Sequence, residues 1–216
     1  MSEARNLWLA IMNELDMSGT ASDKHWEDLH EAYSSPSRFY HTITHIDKMA
    51  EAMREFAAAA SLAVRFAILY HDVIYNAKGA TNEEDSAVFA SVVLRALGCS
   101  EYLQEQTANL ILCTKKHIPL SSEPDDESAL LLDLDLLILG SSPDEYEDYR
   151  KNVREEYRWV AKDQFASARA AILRRFLARE TIFLCPLIRL KYEESARSNL
   201  SAELHGLEKT SARSSN

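Results

Sequence analysis

ALLLDLDLLILG, residues 129–140, is the stretch on which the fold class turns. Its centre, LDLDL at 132–136, alternates apolar and acidic residues with period two, the pattern of a half-buried strand. The flanks read otherwise. Four apolar residues, Ala129 to Leu132, open the stretch, and Ile138 is its one β-branched residue. Strands favour β-branched and aromatic side chains, whereas leucine and alanine are good helix formers. The segment is therefore predicted helical, which removes the one strand candidate in the chain. On a helix, residues two apart point about 200° apart. Asp133 and Asp135 then cannot share one site: one faces the interior and the other solvent. The sequence is nearly symmetric about Leu134, so it does not say which.

The rest of the chain agrees with helices. Five glycines and five prolines in 216 residues leave few breakers, as long helices with short connections require. Leu7, Trp8, Ile11, Met12 and Leu15 form a helical stripe. Further helices are predicted over 22–33, from Tyr40 through Phe56, over 61–75 and over 82–97. Others run from Ser100 to about Lys116, over 143–160, over 162–180, and from Pro186 to about His205. Thr81-Asn82-Glu83-Glu84 fits a capping box, and Gly98 ends that helix. Ser142-Pro143-Asp144-Glu145 is a second start, with a cap, proline at the first helical position and glutamate at the third. An acidic connection, SSEPDDE, precedes the 129–140 segment. The expectation is one all-α domain over residues 1–207, with a disordered tail at 208–216.

Composition narrows the partners. A hydrophobic fraction of 46% supports a sizeable core, and the net charge of −10 makes non-specific nucleic-acid binding unfavourable. A small anionic substrate is not excluded, because a few local cations or a metal could hold it. Cys99, Cys113 and Cys185 form no CxxC and read as reduced thiols of a cytoplasmic protein. The first sixteen residues are too polar for a signal peptide. The 129–140 run is too short, and too interrupted by aspartate, to span a membrane.

Chemistry concentrates in two places. SLAVRFAILYHDVIY, residues 61–75, is apolar nearly all round except for Arg65, so it belongs in the middle of a domain. Near its end sits His71-Asp72. A carboxylate buried there unpaired would cost several kcal/mol, so a histidine partner or a metal must compensate it. RFYHTITHI, residues 38–46, places His41 and His45 four apart, on one face of a helix. HTITH is not the zinc-protease HExxH, since Thr42 stands where the glutamate would be. Two imidazoles, an imidazole–carboxylate step and one carboxylate at 133 or 135 make a mixed nitrogen/oxygen set. Such a set suits Mn, Fe, Co, Ni or Zn. An ion there could bind a phosphoryl oxygen as a Lewis acid and lower the pKa of a bound water.

In order along the chain, His45, His71-Asp72 and Asp135 resemble the H…HD…D signature of the HD-domain superfamily of metal-dependent phosphohydrolases. The resemblance is closer to a bacterial group described as predicted metal-dependent HD phosphohydrolases. It runs through RFYHTITHI, LYHDVIY, NEEDSA, CTKKH, LDLDLLILG, VREEY and ARSNL, about residues 5–204. It implies a single-domain HD-type helical bundle with a central buried metal site. The implied ligands of one divalent transition metal are His45, His71, Asp72 and Asp135, with Asp133 the alternative to the last. A second ion would draw on Glu84 or His117. The YHxxxH spacing also resembles the cyclic-nucleotide phosphodiesterases, where the first histidine protonates the leaving oxygen and the second binds metal. Carried over, His41 is the general acid, and Asp72 could orient or deprotonate the water.

The implied activity is hydrolysis of a small phosphate ester, with a nucleotide suggested by the superfamily, through attack of a metal-bound water. Arg38, Lys115, His117 and Glu84 are candidate substrate contacts. Lys115, Lys116 and His117 would equally suit a helix C-terminus as favourable cations. Two rival readings are a non-catalytic HD-fold module binding a nucleotide or a partner protein, and a di-iron HD-type oxygenase, which needs more histidine ligands. Exposed helix faces are compatible with a homodimer.

Overall fold

The structure is a computed structural model that describes residues 1–17, 19–119 and 126–214. Residues 120–125, in the acidic connection, and residues 215–216, at the end of the expected tail, lie outside the described residues. The described residues contain helices and no strand, so the fold class is all-α. No helix among them is long and apolar enough to cross a membrane. The 129–140 stretch is helical: an α-helix reaches Asp135 and a 3-10 helix continues over Leu137–Gly140.

The chain divides into two compact units, Met1–Asp135 and Leu136–Asn216, although no linker-like segment separates them in the sequence. The first contains α1 (Glu3–Glu14), α2 (Thr20–Tyr33), α3 (Ile43–Phe56), α4 (Leu62–Tyr70), α5 (Asn82–Ala96), α6 (Glu101–Thr114) and α7 (Asp126–Asp135). At its centre is α4, which packs against α1, α3, α5, α6 and α7. Ala63, Val64 and every residue from Phe66 to Tyr70 are buried. Each fully buried large apolar side chain contributes about 1.5–3 kcal/mol, so this helix anchors the unit. Arg65, the expected exception, reaches out to pair with Glu14. From α2, the Tyr33 hydroxyl donates to the Leu69 carbonyl at 3.1 Å.

The ends of these helices decide where the chemistry sits. Ser61 caps α4 by accepting from the Val64 N–H. The helix then stops at Tyr70, short of the 75 expected, and His71 and Asp72 lie in the turn that follows. On a continued helix, neighbouring residues would diverge by about 100°; in a turn both can reach one point. The segment after the turn is hooked to α5 twice. The Ser86 hydroxyl accepts from the Ile74 N–H and donates to the Ile74 carbonyl, at 3.1 and 3.2 Å. The Asn82 amide does the same for Asn76, both bonds at 3.0 Å.

Other boundaries also differ. The third helix begins at Ile43 with Thr42 as its N-cap, so Tyr40 and His41 precede it. Thr81 makes no cap bond to α5: its hydroxyl goes to Asp85, and Glu84 pairs with Lys115, so the expected capping box does not form. Gly98 does end α5, in the left-handed region at φ +70°, with Cys99 N–H on Leu94 O and Gly98 N–H on Arg95 O. That pairing is a Schellman motif, which glycine enters without a Cβ penalty.

The second unit holds the 3-10 helix, α8 (Pro143–Glu156), α9 (Lys162–Leu177) and α10 (Pro186–Ser214). Ser142 and Glu145 form the expected capping box at the start of α8. α10 continues past His205, where the sequence reading ended it, through the first part of the expected tail. It packs on the 3-10 helix and on α9. Close approach to α10 explains Gly140: a Cβ there would stand 2.7 Å from both the Cβ and the carbonyl oxygen of Tyr192. A buried network crosses this unit. Arg169 donates from Nε and Nη2 to the two oxygens of Glu203, both at 3.0 Å, and the Tyr146 hydroxyl adds a bond at 2.6 Å. Arg150 approaches at 3.4 Å, and Arg169 Nη1 donates to the Tyr149 hydroxyl. Burial pushes the Glu203 carboxyl up, but the Arg169 fork and the Tyr146 hydroxyl outweigh it and hold the group below its usual range.

Two outcomes are expected. Gly140→Ala forces backbone apart and should destabilise by about 1–3 kcal/mol in urea unfolding. Glu203→Gln should cost about 3 kcal/mol at neutral pH, the scale for breaking a buried pair. Because the folded pKa lies below the unfolded value of about 4.3, wild-type Glu203 stabilises above that pH. Its contribution fades as pH falls through the folded value. Urea melts of wild type and variant should therefore differ most near neutrality and converge in acid.

Candidate metal centre

The side chains at issue all belong to the first unit. His45 stands in the first turn of α3 and is buried. Its Nε2 lies 3.4 Å from Nε2 of His71 and 3.1 Å from Oδ1 of Asp135. His71 Nε2 lies 3.2 Å from Asp72 Oδ2 and 3.7 Å from Asp135 Oδ1. One ligand atom from each of His45, His71 and Asp72 falls within a mutual 4.8 Å. The four residues singled out in the sequence thus meet in one place, with Asp135 rather than Asp133 presenting its carboxylate to the histidines.

The outer ring nitrogens set the direction of the inner ones. His71 Nδ1–H donates to the Ile68 carbonyl at 3.2 Å. A carbonyl can only accept, so in the neutral ring the proton sits on Nδ1 and Nε2 offers a lone pair to the cluster. His45 Nδ1 faces the Tyr40 hydroxyl, a group that both donates and accepts, at 3.3 Å, which turns its Nε2 inward toward Asp135. Such outer contacts are what orient metal-binding histidines.

Charge reinforces the geometry. Burial would raise the Asp72 carboxyl, but His71 first and His41 further off hold it below the usual range. Asp135 is likewise held well below it, burial being outweighed by hydrogen bonds from His117 and His45. Burial pulls His71 down, yet the adjacent Asp72 carboxylate keeps it up at about 9. His45 is lowered by burial, which outweighs the opposing pull of Asp135. Two ionised carboxylates therefore face His45 and a His71 ring that Asp72 holds protonated at neutral pH; a metal ion taking the place of that proton would free the Nε2 lone pair. For metal–nitrogen and metal–oxygen bonds near 2.1 Å, cis donors lie about 3.0 Å apart in an octahedral site and about 3.4 Å apart in a tetrahedral one. Three of the separations above, 3.1, 3.2 and 3.4 Å, fall in that range, and the 3.7 Å between His71 Nε2 and Asp135 Oδ1 lies beyond it. His45, His71, Asp72 and Asp135 could hold a divalent ion, and the mixed nitrogen/oxygen donors suit a first-row transition metal.

The remaining candidates are placed differently from one another. His41 lies on the bend before α3, so helical spacing is not what brings it near His45. Its ring stacks on Tyr75, with centroids 4.3 Å apart, and sits 6.2 Å from the His45 ring. Its side chain is outside the set of converging donor atoms but beside it. His117 Nε2 contacts Asp135 Oδ2 at 2.9 Å, so Asp135 faces the histidine pair with one oxygen and His117 with the other. His117 takes a left-handed backbone, φ 49°, which costs a non-glycine residue of order 1 kcal/mol. Lys115 donates to the Ala80 carbonyl and pairs with Glu84, so these two candidates hold each other. Arg38 is buried beneath the site with its guanidinium on backbone carbonyls.

Asp133 is fully buried as well, against the expectation that one of the two aspartates faces solvent. Tyr75 and the Tyr40 hydroxyl stand outside the site residues that the sequence suggests. Both stand in the stretches that carry the two histidine motifs, and their aromatic character beside His41, His45 and His71 was the available signal. No match to the chain is found among protein-family models, curated proteins or solved structures.

A cluster of this kind should be stabilised by the ion it fits. Co(II) or Mn(II) at a hundredfold excess over Kd adds about 2.7 kcal/mol, read as a rise in Tm. His71→Ala and Asp72→Ala should abolish that rise, whereas Lys115→Ala should keep it.

Proposed function

We propose that the chain is a metal-dependent phosphohydrolase of the HD type, acting on a small phosphate ester such as a nucleotide. The observation that carries this reading is that His45, His71 and Asp72 bring ligand atoms within 4.8 Å of one another, with Asp135 Oδ1 3.1 Å from His45 Nε2 and 3.7 Å from His71 Nε2. It coincides with the ordered H…HD…D residues whose resemblance implies that chemistry. A divalent ion bound there supplies Lewis acidity toward a phosphoryl oxygen and acidifies a water.

The chain's own groups divide the remaining work. His45 and His71 aim Nε2 inward, their rings held from outside by Tyr40 and by the Ile68 carbonyl. Asp72, ionised and at the rim, can accept a proton from an attacking water. His41 stands to one side on Tyr75 and can return a proton to the leaving oxygen. His117, partly exposed and held by Asp135, can donate to a phosphate oxygen.

The test is a panel of nucleoside mono-, di- and triphosphates and cyclic dinucleotides, with Mn, Co, Ni, Mg and Zn in turn. Turnover should require His71 and Asp72. His41→Ala should lower kcat by about 10²–10⁴-fold, the usual worth of a general acid, while the metal content by elemental analysis stays at the wild-type level. Metal bound without turnover on any member of the panel would shift the reading to the non-catalytic binding module.

A further inference from the structure

Arg38 has a sequence position that suggests phosphate binding and a structural position that does not. It is 7% exposed. Its Nη1 donates to two carbonyls at once, His41 O at 3.0 Å and Asp72 O at 2.7 Å, and its Nη2 donates to Val73 O at 2.8 Å. The guanidinium lies over the rings of Tyr33 and Tyr75, 4.9 and 5.3 Å from their centroids. Nε is buried without an acceptor. An arginine recruited for a substrate anion keeps its fork open toward solvent; here both terminal nitrogens are committed to the backbone.

The carbonyls it holds are the informative part. His41 carries the proposed proton donor. Asp72 is a proposed ligand, and Val73 follows it. These belong to two segments more than thirty residues apart in sequence, neither of them helical: the bend before α3 and the turn after α4. Loop backbone of this kind has no ladder of its own to fix it, so a planar cation with donors in a rigid fork serves as the cross-tie. Tyr75 is shared: its ring faces the Arg38 guanidinium and also stacks on His41.

We infer that Arg38 is a positioning residue, whose guanidinium clasps the His41 bend to the His71–Asp72 turn and so sets the place of the proton donor relative to the ligand cluster. The inference rests on the proposed metal centre. It assigns Arg38 no contact with substrate. Lysine can replace the charge but not the fork, so Arg38→Lys should behave as a partial loss and Arg38→Gln as a larger one.

Co(II) titration, followed by visible absorption, separates the outcomes. Arg38→Gln and Arg38→Lys should bind Co(II) about 10–100-fold more weakly than wild type, the scale for losing an outer-shell tie, with altered ligand-field bands. Arg169→Met, which breaks a buried arginine network in the second unit, serves as the control. It should lower Tm yet leave Co(II) affinity and bands unchanged. If wild type binds Co(II) and Arg38→Gln matches it in affinity and spectrum, the positioning role is overturned while the metal centre stands. If wild type itself binds no Co(II), the proposed function falls and this inference with it. Should Arg38→Gln not fold, Arg38→Lys decides the question by the same two readouts.

Discussion

The first unit is organised around two carboxylates that stay ionised where water is scarce. Asp72 and Asp135 arrive from different elements, one from the turn after α4 and one from the last residue of α7. Unit charges about 4 Å apart interact by about 4 kcal/mol at the effective dielectric of such places, so neither can be left without a positive neighbour. His71, His45 and His117 answer that need in part. Several local features serve the same requirement: the early end of α4, the left-handed residue at His117, and the double hooks from Ser86 and Asn82.

A comparison within the chain sharpens the point. Each unit buries acid. Around Glu203, both oxygens accept from donors that carry their own hydrogens, the Arg169 fork and the Tyr146 hydroxyl. That arrangement is complete as it stands. Around His45 and His71 the carboxylates of Asp72 and Asp135 are met by imidazoles instead, whose ring protons can be exchanged for a metal ion.

Much of the fold was legible in sequence because helical faces and caps are local. The leucine-rich context of 129–140 identified a helix, Ser142 announced its capping box, and Gly98 its Schellman turn. The misses arise where a side chain found another partner or an element began away from its motif. Thr81 and Glu84 spell a capping box, but Asp85 and Lys115 take the two side chains instead. His41 and His45 are spaced for one helix face, yet the chain enters the helix only at Ile43. The near symmetry about Leu134 hid that Asp133 is buried too, and only the placement of α7 beside α3 and α4 distinguishes the two aspartates. Arg38 reads as an anion binder because sequence shows a charge without showing which carbonyls lie within its reach.

α4 is a stiff rod locked on several sides, and it hands the chain to the His71–Asp72 turn at a fixed angle. Adding or deleting one residue inside Leu62–Tyr70 would swing that turn by about 100°, carrying both side chains away from His45. The same change in the short connection before Ser61 would leave the rod in register. Length variation in this chain is therefore cheap ahead of α4 and prohibitive within it, which makes the spacing from Ser61 to Asp72 a ruler as much as a sequence.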